Sequence, residues 1–306
     1  FQWTSGLTFS LNRNEVLKLY TESTGIQGKI GNEVFTYTTV GNPVGQFYGY
    51  NVIGMFEKES DFYQKDRNGD IILDANGKPR FVAIPENKEI AEGTGVWYGD
   101  YIYEDVNGDG VIDEKDRKFI GNPHPDFTIG FNNSITYKGF DFNLFLTASV
   151  GNDGYNYLLQ KQSDPADRWT TLASVRDYAK LELIDPEGER TFDNMQVANP
   201  GASTYRIDQS ASNQNSRTSN IYVEDASYLR IKNLSVGYTL PRAFTGRFGV
   251  ENLRVYCNIQ NLYTFTKYKG YDPEIGAYNQ NVLLQGVDYA RYPSQRMFTF
   301  GLNISL

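Results

Sequence analysis

The chain has 306 residues, enough for one large domain or two ordinary ones, so core size sets no limit. A net charge of -8 disfavours nucleic acid and anionic membrane surfaces as partners, and a single Cys (Cys257) with a single His (His124) leaves no internal disulfide and no His/Cys zinc cluster. The aromatic share of 15%, rich in Tyr and Phe, coexists with a mean hydropathy of -0.51, a pairing that suits a transmembrane barrel with polar lumen and aromatic girdles, and equally a Tyr-rich soluble β protein.

No run of about 18 apolar residues occurs, so no membrane-spanning helix is expected, and Phe1-Gln2-Trp3 opens no signal peptide. Residues Phe1 to Asn12 alternate, Trp3, Leu7, Phe9 and Leu11 against Gln2, Thr4, Thr8 and Ser10, which predicts a strand at the first residue and earlier strands cut away before it. From Glu15 to about Tyr103 the pattern is irregular and reads as loop, with strand candidates at Val34 to Thr39 and Gly45 to Phe56. Two Asn-Gly turns, Asn68-Gly69 and Asn76-Gly77, bracket Ile71-Ile72-Leu73 as a small hairpin excursion.

Asp105 to Asp116, DVNGDGVIDEKD, matches the twelve-residue calcium loop. Oxygen side chains stand at positions 1, 3 and 5 (Asp105, Asn107, Asp109), Gly110 at the sharp turn, the carbonyl of Val111 next, then Asp113 and Asp116 at the last two ligand positions. A hard cation needs several oxygens around one point, and the four carboxylates at ligand positions repel one another unless a cation relieves them. Asp in place of Glu at the final position predicts weaker binding than in an intracellular sensor. The flanks are not helical, so this is no EF-hand, and the same spacing suits an Asx-rich turn that needs no metal. Asp66, Asn68 and Asp70 begin a similar run that Ile71 breaks.

His124 lies in Asn122-Pro123-His124-Pro125 and reads as an exposed turn residue, which leaves a His-based triad without support and the chain without enzyme chemistry. The stretch from Asp126 to Gly151 then carries two periodicities that agree. Phe127, Ile129, Phe131, Ile135 and Tyr137 occupy odd positions; after Lys138-Gly139 the apolar set moves to Phe140, Phe142, Leu144, Leu146, Ala148 and Val150. A two-residue turn requires that flip, pairing Tyr137 with Phe140 and Thr136 with Asp141. Strands of this length, at roughly 3.3 Å per residue and a tilt of about 45°, span an apolar bilayer.

Asn152 to Asp225 is polar, with a predicted helix over Leu172 to Glu182 and a low-hydrophobicity run from Ser203 to Asn220; its aromatics Tyr155 and Trp169, like Trp97 and Tyr98 earlier, read as sugar-stacking surfaces or as loop anchors. Strands are predicted at Tyr228 to Pro241, at Leu253 to Gln260 with Cys257 as a small outward residue, and at Arg296 to Leu306. Short turns (Lys138-Gly139; Pro241 to Asn252) thus alternate with long polar connections (151 to 227; 264 to 294), the habit of outer-membrane barrels. The fold class read from these patterns is all-β, a transmembrane antiparallel β-barrel.

The run from Asp105 to Gly151, with DASYLRIKNLSVGYTLP (225 to 241), NLYTFTKYKGYDPE (261 to 274), GNPVGQFYGYNVIGMF (41 to 56) and the closing RMFTFGLNISL, resembles the SusC/RagA family of TonB-linked outer-membrane transporters. The resemblance covers nearly the whole chain and implies that residues 1–306 are the C-terminal portion of a 22-stranded barrel, without the plug domain, TonB box and N-terminal strands. It further implies a multi-pass barrel in outer-membrane lipid of a Gram-negative cell and TonB-energised import of oligosaccharides or peptides under a SusD-like surface lipoprotein lid. Thr299, Gly301, Ile304 and Leu306 would form a barrel-assembly signal, with Leu306 where members often carry Phe. The alternatives are a SusC-like barrel acting as a structural or assembly component without nutrient transport, and a secreted calcium-dependent adhesin or lectin.

Overall fold

The computed structural model describes residues 1–20, 25–166, 170–207 and 213–306. Its frame is a six-stranded antiparallel sheet whose wall strands follow one another in chain order: Gln2–Ser10, Phe127–Tyr137, Phe140–Val150, Tyr228–Thr239, Asn252–Thr266 and Met297–Ser305. The second and third strands pair in the predicted register, Tyr137 with Phe140 and Phe131 with Leu146. Lys138 and Gly139 both have positive φ, 45° and 86°, the backbone a two-residue primed turn demands, and Gly at the second position meets that at no steric cost.

One face of this sheet is apolar over most of its extent. Phe9, Ile129, Ala148 and Leu229 lie across it in register, as do Val236, Cys257 and Phe300. Cys257 is therefore a small residue on the outer face, as expected. Asn133 interrupts the apolar row, but the Trp3 indole donates to its Oδ1 at 2.6 Å, so the amide is partnered where water is scarce. Among the described residues nothing covers this face: Phe300 and Leu302 are 77% and 64% exposed, and every residue of the three buried clusters comes from the connections, none from the wall. An apolar sheet face of this extent is stable against lipid, not water, and the sheet is a section of barrel wall.

The opposite face is polar, and two register shifts adjust it. Lys232 is an extra residue between the pairs Phe145–Asn233 and Leu146–Ile231, and the fifth strand carries its own bulge at Asn261 and Leu262, with Asn261 at φ 49°. The bulge at Lys232 flips the parity of the fourth strand, so Leu229 and Ile231 face outward and Arg230 faces the polar side beside Thr147 and Thr264. Nearer the short-turn edge, Arg254 grips Asp141 with two hydrogen bonds of 2.9 and 2.6 Å across Gly237, where a Cβ would lie 2.5 Å from both side chains.

All three long connections, 11–126, 151–227 and 267–296, leave from one edge of the sheet, and the short ones, including the helix Arg242–Thr245, from the other. The strand candidates at Val34 to Thr39 and Gly45 to Phe56 are strands in the structure, Glu33–Thr38, Gln46–Gly49 and Val52–Met55, but the expectation of irregular loop around them before Tyr103 needs correction. The connections build small sheets of their own, among them one of Ile26–Ile30, Glu33–Thr38, Gln46–Gly49 and Lys118–Gly121, and they bury aromatic cores. Their polar average hid scattered large residues such as Phe35, Phe47 and Phe62 that meet only in three dimensions. The helix expected over Leu172 to Glu182 is also absent: a short 3-10 turn, Ala173–Asp177, runs into a strand, Leu181–Leu183, that pairs with Met195–Val197. Those residues gain more from a cross-chain ladder than a short isolated helix offers.

Candidate functional site: the folded loop layer

The loop layer is held by three cores. Phe56 stacks on Phe62 with ring centroids 4.2 Å apart, and Trp97, Tyr98, Met195 and Val197 close around them. A second core joins Phe35, Phe47, Tyr155, Tyr222 and Leu284, and a third Tyr50, Tyr103 and Ile112. Each of the first two cores draws on different connections, so burying these side chains welds the loops into one layer. Of the aromatics expected either to stack on sugars or to anchor loops, Trp97, Tyr98 and Tyr155 are anchors: at most 5% exposed, with the Tyr98 hydroxyl donating to the Phe192 carbonyl at 2.7 Å and Tyr155 to Gln160 at 2.9 Å. Trp169 lies outside the described residues.

Two buried ionic clusters complete the welding. Arg206 of the second connection binds Asp100 of the first through both carboxylate oxygens (2.8 and 3.1 Å), while Asn215 Nδ2 and the Trp97 N–H donate to the same group. At the polar face, Arg230 is 2% exposed and binds Asp272, Glu274, Ser294 and Thr264, while Lys232 reaches Glu274 at 2.9 Å. Burial alone would raise the Asp272 pKa, but the N–H groups of Ser294 and Glu274 and the Arg230 guanidinium outweigh it and hold the carboxyl at about 2. His124 is half-buried, with Nε2 2.7 Å from the Val44 carbonyl, and so braces the loop instead of standing exposed as the turn reading had it.

The calcium-type loop closes as an Asx turn. Asp105 accepts from the N–H groups of Gly108 and Gly110 at 2.7 and 2.9 Å, Asn107 from Asp109, and Asp109 from Val111. Val111 itself pairs with Ile84 in a short parallel bridge. Asp116 is fully buried, accepting from Val106 and Asp113. Like-charge repulsion, expected to demand a divalent cation, is relieved here by these N–H donors and by Lys115, whose Nζ stands 3.1 Å from Asp113 and 3.7 Å from Asp109. The Lys115 backbone N–H and its ammonium together draw the Asp113 pKa down, and Asp113 in turn raises that of Lys115. The donor set is all oxygen and suits a hard cation in kind; among the described residues, no three acidic groups converge on one point. In the last wall strand Thr299 pairs with Asn258, Gly301 with Tyr256 and Ile304 with Leu253, and Leu306 lies beyond the strand. Gly301 is open to the Tyr256 ring, whose Cζ would sit 2.3 Å from an added Cβ.

Sequence reasoning missed both ionic clusters. The YDPE segment that contributed to the resemblance contains Asp272 and Glu274, but the partner, Arg230, is signalled only by the parity break at Lys232.

No family model matches the chain. Curated relatives do: TonB-dependent receptor P3 of Formosa agariphila is 34% identical over 99% of the chain, TonB-dependent receptor P39 of the same organism 32%, and the TonB-dependent receptor SusC of Bacteroides thetaiotaomicron 26% over 99%. The chain spans 27%, 28% and 24% of those proteins. Among solved structures, that of the RagAB peptide transporter superposes with a TM-score of 0.61 at 19% identity, covering 99% of this chain and 27% of that one. Alignment from end to end with three such receptors, on a wall whose apolar face is exposed, identifies the chain as a segment of a SusC-type TonB-dependent receptor.

Proposed function

We propose that the chain forms the C-terminal barrel section of a receptor that imports oligosaccharides or peptides across the outer membrane, energised by TonB and capped by a SusD-like lipoprotein. The observation that carries this reading is the folding of all three long connections into one buried-core layer at a single edge of the wall. A rigid layer there offers a partner a pre-formed docking surface and gives the lumen a shaped mouth, whereas loose loops would lose entropy on each engagement. The relatives bear on the cargo in different ways: RagAB is named a peptide transporter, and the others are named receptors. Thr299, Gly301, Ile304 and Leu306 serve as the assembly signal in this reading. The test is uptake by cells carrying the full-length receptor, with and without TonB, together with co-purification from mild detergent. Uptake unaffected by loss of TonB, or a receptor that always emerges alone at native expression, removes the reading.

Calcium is the second element of the proposal. Asp105, Asn107, Asp109, the Val111 carbonyl, Asp113 and Asp116 would hold the ion, once Lys115 withdraws, and the ion would stiffen the loop without catalytic work. Displacing an ammonium predicts weak binding. Calcium should protect residues 105–122 from proteolysis in the wild-type receptor and fail to do so in Asp109→Ala, with the barrel intact in both; equal protection in the two proteins would remove the ion from this loop.

A further inference from the structure

A cavity of about 280 Å³ opens between the turn at Asn32, the ring of Tyr50 and the segment 214–218, drawing its wall from the first and second long connections. That places it at the low end of ligand pockets, room for one small polar group. Its charge is unbalanced: Arg117, Lys161 and Arg217 line it against one carboxylate, Glu33. Arg217 lies over the rings of Tyr50 and Tyr103, 4.6 and 4.7 Å from their centroids, and donates to the Asn213 and Gln214 carbonyls. Lys161 lies over Tyr157 at 5.2 Å. Among the described residues, neither has a carboxylate within ion-pair distance, whereas Arg117 is shared with exposed Glu114 at 3.2 Å. Glu33 is fixed by Gln160 and Thr218 at 2.6 and 2.9 Å, an acceptor held in place beside the cations.

We propose that this cavity binds the anionic group, carboxylate or sulfate, of an acidic saccharide. Two cations lacking carboxylate partners supply the charge, and backbone carbonyls and aromatic rings already orient them, so little side-chain freedom is lost on binding. Most of the remaining wall is amide and hydroxyl, matched to sugar hydroxyls, with Val34 as the aliphatic side chain; a peptide's apolar side chains would find little to bury against. This deepens the import reading and rests on it for biological purpose, though the binding itself does not require uptake.

The experiment is calorimetric titration of the full-length receptor in detergent with a galacturonate tetrasaccharide, a sulfated galactan tetrasaccharide, a neutral galactan tetrasaccharide and tetraglutamate. Both acidic sugars, or the one whose anion fits, should bind at least tenfold more tightly than the neutral one. Arg217→Gln and Lys161→Gln should each weaken that binding roughly tenfold to a hundredfold, and salt raised from about 0.05 to 0.5 M should weaken it further. Lys161→Gln removes no carboxylate pair and guards against a folding defect at Arg217, checked by an unchanged thermal midpoint. Equal binding of neutral and acidic sugars, variants without effect, or tighter binding of tetraglutamate overturns the assignment. Uptake of the labelled probes separates the two ideas. Acidic-sugar binding without TonB-dependent uptake keeps the site and removes the import reading, while peptide uptake with no sugar binding keeps import and removes the site.

Discussion

Substituting Phe131 by Arg places a charge on the outer face of the second wall strand, where it tests both register and solvent. Phe131 is the fifth of eleven residues in Phe127–Tyr137. At about 3.4 Å per residue and a tilt near 40°, the strand spans roughly 26 Å of depth, close to the apolar band, and Phe131 sits about 3 Å from its centre. An Arg there costs about 2–4 kcal/mol, and losing the cross-strand contacts with Leu7 and Leu146 adds roughly 0.2–1 kcal/mol each, for a total of about 2–6 kcal/mol. The neighbour Asn132 faces the lumen opposite Gly6 and Phe145, so Asn132→Arg should cost little. At the strand end, Phe127→Arg should cost about 0–1 kcal/mol from the charge itself. The assay is equilibrium unfolding of the full-length receptor from phosphocholine vesicles in guanidinium. Equal costs at 131 and 132, or no fall from 131 to 127, would refute the lipid-facing assignment.

Arg230→Met should release the 268–295 segment by about 3–5 kcal/mol, because Asp272 is left buried without its cation, while the wall strands keep their protection in hydrogen exchange. Acid should do the same more gradually: with a folded pKa of about 2 against an ordinary 3.8, Asp272 contributes stability that is fully present above the higher value and lost as pH falls through the lower, visible as faster exchange of 272–294 below pH of about 4. Gly301→Ala should cost about 1–3 kcal/mol by driving the new Cβ into Tyr256, and adding Tyr256→Ala should restore most of it; a double variant no better than the single would place the strain elsewhere.

The wall was written in the sequence because its information is local. Alternation of apolar and polar residues over ten positions defines a face, and the parity flip across Lys138-Gly139 fixes the pairing of two strands without reference to anything distant. The calcium-type spacing was equally local, and so was the turn that forms. What the ion would meet there was not, since Lys115 is one of three basic residues in and just after the loop, with Arg117 and Lys118, and only its folded position shows that it reaches Asp109 and Asp113.

The loop layer was decided by the tertiary structure. Its core residues are spaced irregularly, Phe56 and Phe62 meeting Met195 and Val197 from more than a hundred positions away, so no period announces them and the average polarity reads as loop. The same holds for Arg230, which a single extra residue at Lys232 turns from the lipid side to the lumen, and for the cavity of Arg117, Lys161 and Arg217, whose cations come from distant parts of the chain. A period of two is a property of neighbours along one strand; burial, charge balance and cavities are properties of segments that only folding brings together.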